Sequence, residues 1–365
     1  MAFGFFKKKK KEGAKEHYYS LAIKEVVKET ADAITIVFEQ PETPIEYKAG
    51  QFLTLIADIN GESVRRAYSL SSSPYIEKDL AVTIKRVKGG VMSNYLNDTA
   101  KAGDVMKVME PMGHFTTEFT ADNKRHIVMF GGGSGITPLM SHAKSTMVQE
   151  PHSIVSLIYA NRDINSIIFK ETLRDLETKY EGRFRVIHIL DNAPLEWQGP
   201  SGLLNHEMLT DLFERIPNWG IDKTTYIMCG PEGMMNNVET LLEKQNIPAD
   251  RIFKESFVAG TINKESSTDT DVEISTQTVT IVYDDEEYEV VVTPNTHILD
   301  AALDMDIDLP YSCQSGLCTA CRGKCVSGKV KMDEEEGLSQ AEKDAGYVLP
   351  CVSHPLTDDV KIEIG

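Results

Sequence analysis

Apolar and polar positions follow one rhythm up to about residue 120, a second up to about 259 and a third in the last ninety residues. From Tyr18 to Thr120, short β-branched segments recur between turn signals: Leu21 to Val27, Ala33 to Phe38, Phe52 to Ile56, Ala81 to Val87 and Val105 to Val108. That cadence predicts an antiparallel β-barrel over 18–120. Over 121–259 strand-like runs at His126 to Phe130, Ile154 to Tyr159, Phe184 to Ile189 and Thr225 to Met228 are each followed by a helical stretch. Strand, helix, strand predicts an α/β domain built on a parallel sheet. Residues 260–276 are polar and acidic with no core pattern, which predicts a linker. Beyond it, Val279 to Val282 and Tyr288 to Val292 flank Asp284-Asp285-Glu286-Glu287, the pattern of a hairpin with an acidic turn. Residues 277–365 therefore read as a small β-rich module with one short helix.

Three modules suit a chain of 365 residues. Composition is that of a folded protein, with 41% hydrophobic residues and no apolar run near the ~20 residues of a membrane helix, so a cytoplasmic location is expected. Residues 1–17 read as a disordered basic tail: Met1 to Phe6 precede Lys7 to Lys11, the reverse order of a signal peptide. One short basic run anchors weakly to a membrane surface, so no stable insertion is expected. The net charge is −18, and residues 271–365 hold most of it, 20 acidic against 6 basic residues. Nucleic acid is a poor partner for that sign.

The chemistry is densest in the acidic module. Cys313, Cys318 and Cys321 are spaced C-x4-C-x2-C, and Cys351 follows after 29 residues. This is the plant-type ligand pattern for a [2Fe–2S] cluster. Ser312, Ser315, Gly316, Thr319 and Ala320 are small enough for backbone N–H groups to approach the sulfurs. A structural zinc site is the competing reading, but zinc sites favour paired C-x2-C knuckles and only one such pair exists here. Six cysteines in this length do not make a disulfide scaffold. Cys325 reads as a packed neutral thiol.

The segments Thr296 to Ala302 and Leu309-Pro310-Tyr311-Ser312-Cys313 resemble the helix and cluster loop of plant-type ferredoxins. The resemblance implies an α+β, β-grasp fold for this module. In the barrel, Arg66-Ala67-Tyr68-Ser69 resembles the RxYS flavin signature of the ferredoxin–NADP reductase superfamily, with Gly50-Gln51-Phe52 before it. Gly90-Val91-Met92-Ser93-Asn94-Tyr95-Leu96 is similar to that family's flavin-pyrophosphate loop. Arg66 can neutralise a phosphate bidentately, Tyr68 can cover the apolar face of an isoalloxazine, and backbone donors near Gly90 and Ser93 can hold a pyrophosphate. The resemblance implies FAD, with FMN in one branch, and puts Ser69 near the reactive edge of the ring.

In the α/β domain Gly131-Gly132-Gly133-Ser134-Gly135-Ile136-Thr137-Pro138 lacks the GxGxxG spacing of dinucleotide-binding Rossmann proteins. It resembles instead the GGGxGxTP loop of the same superfamily, in which Gly132, Gly133, Gly135 and Thr137 open a helix N-terminus to a pyrophosphate. Cys229-Gly230-Pro231-Glu232-Gly233-Met234 is similar to the family's CGPxxM motif and implies a Cys229 thiol beside the nicotinamide. NADPH-dependent relatives commonly carry Ser-Arg where this chain has Asp191 after Ile189-Leu190. A carboxylate repels a 2′-phosphate and accepts ribose hydroxyls, so NADH is expected over NADPH, with Arg162 the residue that argues the other way. Flavin barrel, nicotinamide domain and ferredoxin in this order are found in reductase components of bacterial multicomponent oxygenases. The resemblance implies transfer of electrons to an oxygenase component docking on the acidic module. A desaturase, a cytochrome or a ring-hydroxylating dioxygenase is the alternative acceptor, and a redox sensor without turnover the alternative class.

Overall fold

The computed structural model describes residues 18–257, 275–335, 337–338 and 340–364; the expected tail over 1–17 and most of the expected linker over 260–276 lie outside them. The first sheet comprises β1 (Tyr18–Thr30), β2 (Ala33–Phe38), β3 (Phe52–Ile59), β4 (Glu62–Ser69), β5 (Leu80–Lys85) and β6 (Val105–Met109). Its order is β4-β3-β6-β1-β2-β5, and all pairs are antiparallel. A bridge between Leu70 and Val82 joins the two edges and curls the sheet toward a barrel. Leu21, Ile36, Leu53, Leu55 and Ile84 fill it. One strand escaped the sequence reading. β4 alternates charged and apolar residues weakly, and no residue before Ser69 is buried, so it lacks the β-branched run that marks its neighbours. α1 (Val91–Thr99) crosses from β5 to β6.

The parallel sheet runs β7 (His126–Gly132), β8 (Ile154–Asn161), β9 (Phe184–Leu190), β10 (Thr224–Cys229) and β11 (Ile252–Glu255), in the order β11-β10-β7-β8-β9. Its helices are α2 (Ile136–Gln149), α3 (Lys170–Lys179), α4 (His206–Arg215) and α5 (Glu232–Lys244). The strand order reverses between β7 and β10, and a doubly wound sheet binds ligands beyond the carboxyl ends of its strands at such a point. The four-residue β11 was also not foreseen, because Ile252-Phe253-Lys254-Glu255 is too short to show a period.

α2 explains how barrel and sheet are held. Eleven of its fourteen residues are buried, since one side covers the sheet and the other meets the barrel. The polar ones are satisfied across that seam: Ser141 Oγ donates to Ser72 O at 2.6 Å, and His142 Nε2 lies 2.8 Å from Phe115 O.

The last domain carries the mixed sheet β13-β12-β18-β14-β16, formed by β12 (Gln277–Tyr283), β13 (Glu286–Val292), β14 (Gly323–Ser327), β16 (Tyr347–Val348) and β18 (Lys361–Ile364). β12 and β18 are parallel and the other pairs antiparallel. Asp284 and Asp285, at φ 53° and 61°, form the expected acidic turn of the β12–β13 hairpin. α6 (Ile298–Asp304) buries Ile298, Leu299, Ala301 and Ala302 against this sheet. β15 (Val330–Met332) pairs with β17 (Ser353–Pro355), and α7 (Gln340–Asp344) lies between β15 and β16 in the chain. The architecture is thus a flavin-type barrel, a parallel α/β sheet and an α+β β-grasp module, as the rhythms and resemblances implied. Among the described residues no helix is long and apolar enough to cross a membrane.

Candidate functional site

One cleft of about 1620 Å³ is walled by all three domains. On the barrel side, edge strand β4 presents Arg66 and Tyr68, two residues apart and hence on one face, together with Ala67 and Ser69. Arg66 is exposed there, its Nη1 donating to the neighbouring Arg65 carbonyl at 2.7 Å. Tyr68 is half-buried, and burial raises its phenol above the ordinary value. Gly90 caps the start of α1, whose first N–H groups have no partner within the helix, and Ser93 Oγ accepts from Val87 N at 3.1 Å. Gly90, Val91, Met92 and Ser93 all reach the cleft, but the Met92 side chain packs in the barrel core. An exposed guanidinium, a helix start and an aromatic face within one cleft fit the phosphates and ring of a flavin nucleotide.

On the sheet side, β7 ends at Gly132, and a tight turn over Gly133–Gly135 leads into α2. Tyr159 OH donates to Gly133 O at 2.9 Å and pins that turn. Gly135 has to be glycine: a Cβ there would lie 2.0 Å from the Cys229 carbonyl oxygen, so the turn packs flush against the end of β10. Thr137 is buried and spends its hydroxyl on Ser134 O at 3.0 Å. Gly132, Gly133, Gly135, Gly230 and Pro231 line a smaller hollow of about 250 Å³, and Lys85 of β5 faces it. No motif in the chain singles out Lys85. Its place is fixed only when barrel and sheet meet.

Ser69 lies opposite the same β10 end. Its Oγ donates to Glu255 Oε2 at 3.2 Å, which joins the barrel to β11. Burial pushes the Glu255 carboxyl up to about 8, with the Ser69 hydrogen bond opposing, so it carries a proton at neutral pH. Cys229 is fully buried, and burial followed by the nearby Glu255 raises its thiol well above the ordinary value, so it is a neutral thiol. The sequence reading singled out Ser69 and Cys229 but not Glu255. Phe257, 40% exposed on the rim of both hollows, was missed with it.

Asp191 stands exposed just past β9, its N–H bonded to Asn161 O at 3.0 Å across the sheet's carboxyl edge. Arg162, on the adjoining loop, pairs with Asp163 at 3.0 Å.

The third wall is the cysteine loop. Cys313 lies within hydrogen-bonding reach of Cys318 and Cys351, and Cys351 of Cys321. So close a group separates in acidity: hydrogen bonds from Cys318 and Cys351 pull Cys313 far below an ordinary thiol, and bonds to Cys313 push Cys318 and Cys351 above it. Ser315 N–H points at Cys313 Sγ from 3.4 Å, and Ser312 Oγ is buried with no partner. Four converging sulfurs with donors aimed at them fit an iron–sulfur cluster. Gly316 adopts φ 73°, and a Cβ there would meet Glu334 Cβ at 2.7 Å, which is how the loop turns so tightly. Cys325 sits apart on β14, its thiol donating to Ser327 O at 3.1 Å.

A clamp beside Arg66 holds this loop to the barrel. The Arg65 guanidinium lies 4.2 Å from the Tyr311 ring centroid, donates to Tyr18 OH at 3.2 Å and pairs with Asp308 at 3.2 Å. Tyr18 OH in turn donates to Asp308 at 3.1 Å. Arg65 is 12% exposed, so its stacking on Tyr311 is largely desolvated, whereas Asp308 is 61% exposed and its pairing is screened by solvent. Tyr311 is two residues from Cys313.

Comparison with known proteins agrees with this layout. Residues 19–117 match the oxidoreductase FAD-binding domain, 129–240 the oxidoreductase NAD-binding domain and 281–356 the 2Fe-2S iron-sulfur cluster binding domain. The chain is 36% identical over 351 residues to a component of the 1,2-phenylacetyl-CoA epoxidase of Escherichia coli (strain K12), covering 95% of this chain and 97% of that protein. It is also 36% identical to the ferredoxin reductase component of 3-ketosteroid-9-alpha-monooxygenase from Rhodococcus rhodochrous, over 94% and 96% of the two chains. Phthalate dioxygenase reductase has a similar fold, with a TM-score of 0.57 at 22% identity over 95% of this chain and 98% of that one. The chain therefore belongs to the ferredoxin–NADP reductase superfamily, in the branch with a fused C-terminal plant-type [2Fe–2S] domain, and is an oxidoreductase that passes electrons from a nicotinamide dinucleotide by way of FAD and the cluster to an oxygenase component.

Proposed function

We propose that the chain is the NADH-using reductase of an oxygenase of the phenylacetyl-CoA epoxidase type, and that the oxygenase docks on the acidic ferredoxin domain. The carrying observation is the single cleft, which Tyr68, Ser69 and Glu255 share with Cys313 and Cys318. When bound, the flavin takes two electrons as hydride and the cluster releases them singly, so the protein's part is orientation and electrostatics. In this reading Arg66 and the N–H groups from Gly90 to Ser93 hold the flavin phosphates, and Tyr68 covers the ring. Gly132, Gly133, Gly135, Thr137, Gly230 and Pro231 shape the seat of the nicotinamide dinucleotide, with Lys85 neutralising its phosphates. Cys229, neutral and buried, closes that seat without adding charge. Ser69 passes a proton between the cleft and Glu255, which stays protonated up to about pH 8. Cys313, Cys318, Cys321 and Cys351 hold the cluster.

Asp191 supports NADH, since a carboxylate at the end of β9 disfavours a 2′-phosphate. The competing Arg162 is engaged by Asp163. Docking on the ferredoxin domain is supported by its charge, net −14 for residues 271–365. Turnover of purified oxygenase components with NADH as donor tests both parts. An epoxidase-type component should be served best, and its turnover should slow as salt rises, because exposed charges are screened beyond ~8 Å at 0.15 M. Faster turnover of a ring-hydroxylating dioxygenase, desaturase or cytochrome would reject the acceptor, and a flat salt profile would reject the docking surface.

A further inference from the structure

We propose that His297, Asp333 and His354 form a second metal site on the ferredoxin domain, apart from the four cysteines, for one zinc-like divalent cation. His297 Nε2 and His354 Nε2 lie 3.1 and 3.2 Å from the same Asp333 Oδ2, and the three ligand atoms fall within 4.8 Å of one another. Two imidazole nitrogens and a carboxylate oxygen held tetrahedrally at zinc bond lengths of ~2.0–2.2 Å stand about 3.3 Å apart, so both contacts have the length of a zinc polyhedron's edge.

The partners of the two imidazoles point the same way. Asp300 Oδ2 lies 3.4 Å from His297 Nδ1, the orienting carboxylate that a metal-bound imidazole commonly has on its other nitrogen, so a cation would take the place of the Nε2 proton that otherwise bonds Asp333. His354 sits in a drier place: its side chain is 9% exposed, its Nδ1 has no partner, and its Nε2 lies within hydrogen-bonding distance of the same oxygen. One cation satisfies both nitrogens and the oxygen together. Asp333 is 49% exposed and His297 30%, leaving an entry path and room for water as a fourth ligand. Two nitrogen donors favour zinc over calcium or magnesium.

The site joins three separate pieces of chain. His297 immediately precedes α6, Asp333 follows β15, and His354 lies on β17, directly after the turn Pro350–Val352 that carries Cys351. A cation there clasps the strand leaving the fourth cluster ligand to the rest of the domain. The sequence reading, which weighed zinc only at the cysteines, had no means of pairing residues 297, 333 and 354.

The test uses the holoprotein and zinc chloride. After equilibrium dialysis, one zinc per chain is expected beyond the iron, together with a higher thermal midpoint. His297→Ala at a half-buried position and Asp333→Asn at an exposed one should each weaken zinc binding at least tenfold while the cluster absorbance stays intact. Absence of zinc from the wild type, or unchanged binding in both variants, overturns the proposal. Should a variant lose its cluster, diethyl pyrocarbonate labelling of the wild type decides. Zinc should protect His297 and leave the exposed His206 of α4 reactive, and equal labelling of His297 with and without zinc refutes the site.

Discussion

The cysteine loop and the flavin–nicotinamide cleft are two ends of one electron path, built in opposite ways. Cys313, Cys318 and Cys321 sit within one tight loop, so three of four expected ligands are placed by local backbone geometry, with Gly316 turning the loop. The cleft and the smaller hollow beside it draw on β4, the start of α1, the turn after β7, the residues just past β10, and β11, from Arg66 to Phe257, and no single element contains them. A site made by one loop shows its chemistry as spacing in the sequence. A site made by docking domains depends on surfaces that spacing does not record.

The contrast is sharpest for Cys351→Ser. We expect it to abolish the cluster's visible absorbance and the reduction of one-electron acceptors while leaving flavin reduction by NADH unchanged. Cys325→Ser should keep both, since that thiol bonds Ser327 O on β14. Absorbance spectra and single-turnover flavin bleaching check the pair, and cluster loss in Cys325→Ser alone would mean that the ligands are misassigned.

The cleft should fail differently, by misplacement. In Gly135→Ala the added methyl meets the Cys229 carbonyl at 2.0 Å and forces the turn away from β10. A shift of about 1 Å costs on the order of a hundredfold in rate, so kcat/KM for NADH should fall by that order while the cluster spectrum is unchanged. A smaller change is expected from Asp191→Ser. Relieving a like charge worth about 1 kcal/mol should move the NADPH-to-NADH ratio of kcat/KM about fivefold toward NADPH. Steady-state kinetics with both nucleotides checks it.

The subtlest difference is in stability against pH. Folded Glu255 keeps its proton to about pH 8, whereas the same carboxyl in the unfolded chain releases it near 4.5. The folded chain thus binds more protons between those values, and this group's contribution to stability declines as pH rises from about 4.5 to 8. Glu255→Gln has no proton to lose, so its thermal midpoint should fall by a few degrees less than the wild type's across that window.

What the sequence disclosed follows the same division. Barrel, parallel sheet and ferredoxin hairpin were legible because their cores lie in β-branched runs such as Ala33–Phe38, Ile154–Asn161 and Gln277–Tyr283. β4 was hidden because an edge strand facing the cleft carries Arg65, Arg66 and Tyr68 where a core strand would carry valine or isoleucine. β11 was hidden by its length, and Glu255 with it. Met92 serves both patterns: it reaches the cleft within the motif, while its side chain packs in the barrel core. Lys85 and Arg65 act only across domain boundaries, where no local pattern reaches.

The central claim is that cleft and cluster form one unit, clamped by Arg65 against Tyr311 and Asp308, so that electrons cross within a single chain. Stopped-flow mixing of the holoprotein with NADH, followed at flavin and cluster wavelengths over a range of protein concentrations, tests this directly. Flavin bleaching should come first, and cluster bleaching should follow at a rate independent of protein concentration. Arg65→Ala should slow only the second phase, by about tenfold if roughly 1.4 kcal/mol of clamp contacts is lost, most of it from the stacking on Tyr311. A cluster phase that scales with protein concentration, or one that Arg65→Ala leaves untouched, would contradict the account.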